Sequence, residues 1–304
     1  MYFVYSQIIY LMKALLISLP FFLFTILYYS CNNSSESTSE TDQDERLEKS
    51  DPTVSLVWKT DTTFSDSEST LYDAGNKAIY VSCGNNSLEK DGDGFIAVLH
   101  PDGSVKSMDW CTGLNAPKGM AILDNSLYVS DIDEIVQINL SSGEITNKYP
   151  LEGAQFLNDV ATDGSLIYVS DMRDNKVYSL SDGEFEMVAE NVSSINGLES
   201  HNGTLYGLNG EGLIKFDDNG GYEILTDEVK GGDGLVILDD DTFIASRWAG
   251  QIYYIDGDQV TLLVDTSPEQ SNTADITYIA DEEMIIVPTF KKNEVAAYQL
   301  TVGN

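Results

Sequence analysis

The sequence predicts an all-β protein, a six-bladed β-propeller with four-stranded antiparallel blades. Three observations lead there. Beyond residue 53, short β-branched and aromatic runs alternate with Gly, Asn and Asp turns, and helical periodicity is almost absent. One run recurs in six related forms: Ala78–Ser82 (AIYVS), Ser126–Ser130 (SLYVS), Leu166–Ser170 (LIYVS), Thr204–Leu208 (TLYGL), Thr242–Ser246 (TFIAS) and Met284–Pro288 (MIIVP). The segments before these runs begin at Glu68, Lys118, Asn158, Asn196, Asp233 and Asp275, at spacings of 50, 40, 38, 37 and 42 residues. A period of about 40 residues, in units too small to bury a core alone, is the mark of a propeller blade.

Each strand follows from that period. The segments starting at Glu68 and its counterparts are the innermost strands, and the recurring runs are the second strands. Third strands read as Gly94–Leu99, Glu134–Asn139, Lys176–Leu180, Gly212–Phe216, Gln251–Ile255 and Glu294–Tyr298. Fourth strands follow, as in Phe185–Ala189 and Val260–Val264, except in the sixth unit. The strand Val54–Lys59 has no partner in its own unit. Pairing it into the sixth blade as the missing strand closes the ring and removes an open edge. The propeller is expected over residues 53–304.

Composition agrees. Apolar residues make up 42% of the chain, enough for a sizeable core. With 50 acidic and 16 basic residues the formal net charge is −34, which excludes nucleic acid as a partner because phosphates would be repelled. Three cysteines are too few for a disulfide scaffold. Cys83 and Cys111, two strand spacings or about 10 Å apart in one blade, are expected as free, buried thiols unless loops bend in to bridge them. Asp91–Gly94 looks like part of a calcium loop but lacks the remaining ligands, and reads as a hairpin turn.

The N-terminus reads as an address. Residues 1–30 hold no acid and one base, Lys13, followed by the apolar run Ala14–Tyr29, which contains Pro20, and then Ser30-Cys31. Sixteen apolar residues are short for a membrane span. A base, a short apolar stretch and a small residue form a secretory signal, and Met12-Lys13 would head one of ordinary length. Cysteine directly after the small residue resembles the lipobox of bacterial lipoproteins, which implies lipidation at Cys31. An uncleaved anchor helix is the competing reading. Residues 31–52 hold one aliphatic residue, Leu47, and are expected to be a flexible acidic tether. These features place the chain at the bacterial cell envelope, as a monomer touching the membrane through its lipid alone.

The chemistry converges on one end of the propeller. If the innermost strands start at one face, their first residues surround the central channel there. Glu68, Lys118, Asn158, Asn196, Asp233 and Asp275 are all polar, and their formal charges sum to −2. Carboxylate and amide oxygens in such a ring suit a hard divalent cation, Ca²⁺ first and Mg²⁺ or Zn²⁺ as alternatives. Singly, pairs such as Asn196-Gly197 and Asp233-Gly234 are ordinary turn formers; it is their common phase that suggests a site. The second-to-third strand loops bring Asp131, Asp133, Asp171, Arg173, Arg247, Trp248, Phe290 and Lys291 to the same face, with Arg247 and Trp248 as a candidate wall for a substrate. His100 and His201 fall in turns away from the ring, which argues against a serine triad.

The pieces Glu68-Ser69, Leu157-Asn158-Asp159, Ile195–Leu198 and Gly232–Leu235 resemble, in order, the motifs of the SMP-30/gluconolactonase/LRE-like family over most of residues 54–300. The resemblance implies a six-bladed propeller with one divalent metal in its channel. It implies Glu68, Asn196 and Asp233 as ligands, Asn158 beside metal or substrate, and Asp233 as general base. Where family enzymes of sugar lactones carry arginine, two places before Asn158, this chain has Phe156, which points away from a sugar. The expected function is hydrolysis of a lactone or related ester, with Lys118 stabilising the oxyanion. The alternatives are a propeller lipoprotein that binds a small molecule or a protein without turnover, and a scaffold whose rim contacts other envelope proteins.

Overall fold

A computed structural model describes residues 50–84 and 89–303. The leader, Met12, Cys31 and the tether up to residue 49 lie outside the described residues. Among the described residues, twenty-four strands form six four-stranded antiparallel sheets. The closing strand β1 (Thr53–Lys59) comes first. Blade one is β2 (Ser67–Asp73), β3 (Ala78–Cys83), β4 (Gly94–Leu99) and β5 (Val105–Leu114), and blade two is β6 (Pro117–Leu123), β7 (Ser126–Asp131), β8 (Glu134–Asn139) and β9 (Ile145–Pro150). Blade three is β10 (Leu157–Thr162), β11 (Ile167–Asp171), β12 (Lys176–Ser181) and β13 (Glu184–Glu190), and blade four is β14 (Leu198–His201), β15 (Thr204–Leu208), β16 (Leu213–Phe216) and β17 (Tyr222–Thr226). Blade five is β18 (Leu235–Asp239), β19 (Thr242–Arg247), β20 (Gln251–Asp256) and β21 (Gln259–Asp265). Blade six contains β22 (Thr277–Ile279), β23 (Met284–Pro288) and β24 (Val295–Thr301), with β1 as its fourth strand. Two single-turn 3₁₀ helices, Ser267–Glu269 and Ala280–Glu282, are the helical content among the described residues.

Packing explains why the second strands are mostly apolar. In β3 every residue is buried. Side chains alternate across a strand, so Ala78 and Tyr80 enter the cluster shared with blade two while Ile79, Val81 and Cys83 enter the one shared with blade six. The same holds round the ring: six apolar clusters each fill the gap between two neighbouring blades. This also settles the cysteines. Cys83 packs toward blade six and Cys111, inside β5 rather than after it, packs toward blade two, so both are free and buried. Burial raises both thiols, Cys111 to about 11.

The ring closes where β1 pairs with β24, from Thr53 opposite Thr301 to Lys59 opposite Ala296. A bulge between Leu56 and Trp58 re-aims the strand. Trp58 then reaches into blade one, where its indole N–H donates to the Pro101 carbonyl at 3.1 Å. Its ring lies over Gly103, where a Cβ would come within 2.7 Å of it. The β4–β5 turn therefore needs glycine both for its φ of +82° and for this approach.

Candidate functional site

Local backbone geometry builds the site. Pairing of the inner strands with the second strands is interrupted between Ser67 and Ser69, between Pro117 and Met120, and between Leu157 and Val160. These irregularities fall at Glu68, Lys118 and Asn158. In blades four and five the pairing continues past the strand ends, with Asn196 N–H on Leu208 O at 2.9 Å and Asp233 N–H on Ser246 O at 2.8 Å.

Serines set the phase from blade to blade. The hydroxyl closing a second strand accepts an N–H from its own inner strand: Ser82 from Ser69 at 3.0 Å, Ser170 from Asp159 at 3.0 Å and Ser246 from Gly234 at 2.8 Å. It donates to a ring residue's carbonyl in the next blade: Ser130 to Asn158, Ser170 to Asn196 at 2.7 Å, and Ser246 to Ala274 at 2.6 Å. The serine ending the second run of blades two, three and five is thus a staple to the next blade. Ser170→Ala should remove two of these bonds and leave buried partners unsatisfied, costing about 1–3 kcal/mol. Chemical denaturation would measure it, and an unchanged midpoint would refute the staple.

The same register corrects the ring. The blade-six counterpart of Asn196 and Asp233 is Ala274, whose N–H bonds to Pro288 O at 3.1 Å and whose carbonyl takes the serine staple. Asp275 is one residue further on, and a shift of one residue turns a side chain to the other side. Its N–H bonds to Glu68 O at 3.0 Å, and its carboxylate accepts from the Ser69 hydroxyl at 2.5 Å. The mouth layer is therefore Glu68, Lys118, Asn158, Asn196, Asp233 and Ala274, with a formal charge of −1 instead of −2.

Five of these residues line one cavity of about 700 Å³. Glu68 and Lys118 form an ion pair, Oε1 to Nζ 3.4 Å, with both side chains 8% exposed. Asn196 Nδ2 donates to Asp233 Oδ1 at 2.9 Å. Asn158 Nδ2 rests 3.6 Å from Met172 Sδ. Burial pushes the Asp233 carboxyl well above the usual range, and the Glu68 and Asp275 charges add to it against the pull of Lys118 and Asn196. Glu68 is raised by burial and held back by Lys118.

The walls are apolar. Phe156 and Met172 come from blade three, and Trp248, Phe290 and Lys291 from blades five and six. Trp248 and Phe290 meet edge to face with centroids 5.9 Å apart. Asn272, 5% exposed, joins their loops: its Nδ2 donates to Trp248 O at 2.7 Å and its Oδ1 accepts from Lys291 N at 3.4 Å. Sequence reasoning missed Asn272, which carries no motif. It also passed over Asp66 and Met172 at the cavity wall.

Other expectations on this face resolve differently. Arg247 does not line the cavity. It ends β19 opposite Gln251, and its guanidinium turns to the Tyr253 hydroxyl at 3.5 Å, along the strand rather than over the channel. Asp131 and Asp171 hold loops: Asp131 accepts N–H bonds from Asn115 and Ala116, and Asp171 from Gln155 and Phe156. Asp133 pairs with Lys90 at 2.6 Å. Asp91–Gly94 is a bend in which Asp93 N–H approaches Asp91 Oδ1 at 3.4 Å.

Behind the mouth layer lies a second one, where Gly119 and Gly234 make room for carboxylates: a Cβ on either would come within 2.3 Å of Asp159 Oδ1 or 2.8 Å of Asp275 Oδ1. Asp159 and Asp275 line a second cavity of about 330 Å³ with Glu199 and His201, whose Nε2 is 3.0 Å from Asp240. Burial is the first cause that pushes Glu199 up to about 7 and Asp275 up to about 8. Between the ordinary values of 4.5 and 3.8 and these raised ones, the folded state binds more protons than the unfolded state. Stability contributed by these carboxyls is present below about pH 4 and is lost as pH rises to about 8. A melting midpoint, measured in chelator, should fall from pH 5 to pH 8; a flat or rising curve would contradict it.

A hard cation is a fair test of the mouth's chemistry. Among the described residues no group of three or more His, Cys, Asp or Glu is placed to hold a metal. The mouth instead offers two carboxylates and two amides. Asn196 Oδ1 is buried with no donor, while its Nδ2 is committed to Asp233. An acceptor without a donor, beside two acids raised by burial, suits a cation with oxygen ligands.

Fold and mouth together define a six-bladed propeller whose channel opens on a polar floor under aromatic walls. No family model and no curated protein matches the sequence. Among solved structures, a streptogramin B lyase superposes with a TM-score of 0.59 at 13% identity, over 82% of this chain and 98% of its own. A luciferin-regenerating enzyme superposes with a TM-score of 0.59 at 15% identity, over 84% of this chain and 97% of its own. At these identities the likeness establishes the fold.

Proposed function

We propose that this protein is a divalent-metal-dependent hydrolase of a lactone or related ester, acting at the channel mouth. The observation that carries it is the floor: Glu68, Asp233 and the donorless Asn196 oxygen beside buried Lys118, under a cavity of about 700 Å³. That both similar structures are named as enzymes supports an enzyme reading.

Glu68, Asn158, Asn196 and Asp233 would hold the cation, Ca²⁺ before Mg²⁺ or Zn²⁺. When bound it supplies Lewis acidity to a carbonyl oxygen and acidity to water. Asp233, ionised, takes a proton from the attacking water as oxygen adds to the carbonyl carbon. Lys118 lends positive charge to the oxygen on which negative charge develops. The C–O bond to the alcohol then breaks, the alkoxide takes the proton back from Asp233, and the carboxylic acid left behind releases its own proton to solvent as a carboxylate. Asn158, on the floor near Met172, positions the substrate, and Trp248 forms its wall. In this reading the leader through Cys31 would carry the chain to the bacterial envelope, where it works as a lipid-anchored monomer.

The test is a panel of lactones and esters offered to purified protein with Ca²⁺. Hydrolysis that chelation abolishes supports the assignment, and no turnover across the panel refutes it. The 3.4 Å Lys118–Glu68 pair favours a second reading. In it Lys118 already supplies the floor's positive charge and the mouth binds a ligand without converting it.

A further inference from the structure

Two cations stand against aromatic rings of the cavity: Lys291, which lines it beside Trp248, and Arg173, which lies over Phe156 without lining it. The chain has 50 acidic and 16 basic residues, and six of the described lysines, Lys59, Lys90, Lys118, Lys148, Lys176 and Lys230, pair with a carboxylate. Among the described residues Arg173 and Lys291 have no carboxylate within ion-pair reach, and both lie against aromatic rings of the same cavity. The Arg173 guanidinium is 4.3 Å from the Phe156 centroid, and Lys291 Nζ is 4.5 Å from the Trp248 centroid. Phe156 belongs to blade three and Phe290-Lys291 to blade six, which face one another across a six-fold ring. Each cation is held at its ring by the electrostatic attraction of the π face.

The layers therefore differ in character. Glu68, Asp233 and Lys118 sit on the floor, the walls are largely apolar with Asp66 among them, and Lys291 and Arg173 hold positive charge against the wall's aromatic rings. Walls of Phe156, Met172, Trp248 and Phe290 offer a polyol little to hydrogen-bond, so a hydroxyl lying against them loses hydration without replacement. A neutral apolar molecule would cover the cations and return nothing to them. A cationic molecule, though drawn by the net charge of −34, would meet like charge at the wall.

We propose that the mouth selects molecules with a flat apolar body, preferably aromatic, and one anionic group such as a carboxylate. The body lies between the Phe156–Met172 and Trp248–Phe290 walls, and the anion meets Lys291 or Arg173. What then happens at the floor rests on the hydrolase reading; the binding preference itself needs no turnover.

Calorimetric titration of the purified full-length chain with four probes tests this: naphthoate, naphthylmethanol, naphthylmethylammonium and gluconate. Ionic strength near 0.15 M, where the screening length is about 8 Å, mutes the distant acids and spares contact charges. Naphthoate should bind about tenfold or more tightly than each of the others, the worth of one charge-assisted contact. Lys291→Gln and Arg173→Gln, both at exposed positions, should together remove that advantage and leave naphthylmethanol binding unchanged. Gluconate or the ammonium probe binding as well as naphthoate would overturn the proposal. So would naphthoate binding no better than the alcohol, no naphthoate binding at all, or an unaffected double variant. Naphthoate preference without hydrolysis of any ester would leave this inference standing and sink the hydrolase. Hydrolysis of polyol lactones without naphthoate binding would do the reverse.

Discussion

Asp233→Asn should lower kcat for ester or lactone hydrolysis by about 10²–10⁴-fold, the usual contribution of a general base, while the fold survives. Asparagine keeps the shape and a carbonyl oxygen able to accept the 2.9 Å bond from Asn196, and loses the group that takes a proton. Because burial and Glu68 already disfavour the ionised Asp233, the neutral variant should melt no lower than the parent above neutral pH. Lost rate with retained or raised midpoint separates this role from a structural one. At subsaturating Ca²⁺ the parent's rate should rise with pH, since only the ionised carboxylate ligates the cation and serves as base. Full activity in the variant would remove Asp233 from the mechanism.

Adding Ca²⁺ to chelator-treated protein should raise the melting midpoint by roughly 5–10 °C. A ligand at a hundred times its Kd adds about 2.7 kcal/mol to the folded state, and a domain of this size shifts by about 2–4 °C per kcal/mol. Glu68→Gln and Asn196→Ala should each remove most of that gain, the second by deleting the buried oxygen that has no donor. Since the carboxyls must ionise to ligate, the gain should be larger at pH 8 than at pH 5. If Ca²⁺, Mg²⁺ and Zn²⁺ all leave the midpoint unmoved, Lys118 is the resident positive charge and the binding reading takes over.

The blade repeat was legible because every unit must bury the same two strand faces, so runs like AIYVS and LIYVS recur wherever a blade stands. Five mouth residues were legible for the same reason, since they share one phase. The sixth was not. Ala274-Asp275-Ile276 imitates Asp233-Gly234-Leu235 in sequence, and only the serine staple on Ala274 shows that the acid is one place late. Arg247 illustrates another limit. Its position at the end of β19 was readable, but the choice between channel and Tyr253 depends on side-chain geometry that no spacing encodes. The cation-bearing wall was out of reach as a unit, because Phe156, Arg173, Trp248 and Lys291 meet through loops of three blades.

Clasping β1 against β24 joins the earliest strand of the ring to the last one made. During folding, β1 must wait unpaired until a strand some 235 residues further along is in place, as the span from Thr60 to Val295 at the seam illustrates. Until that pairing forms, β24 presents a bare β edge and the ring stays open. That interval is when misassembly with a neighbouring chain is most probable, and a late, all-at-once closing step should dominate the refolding time course.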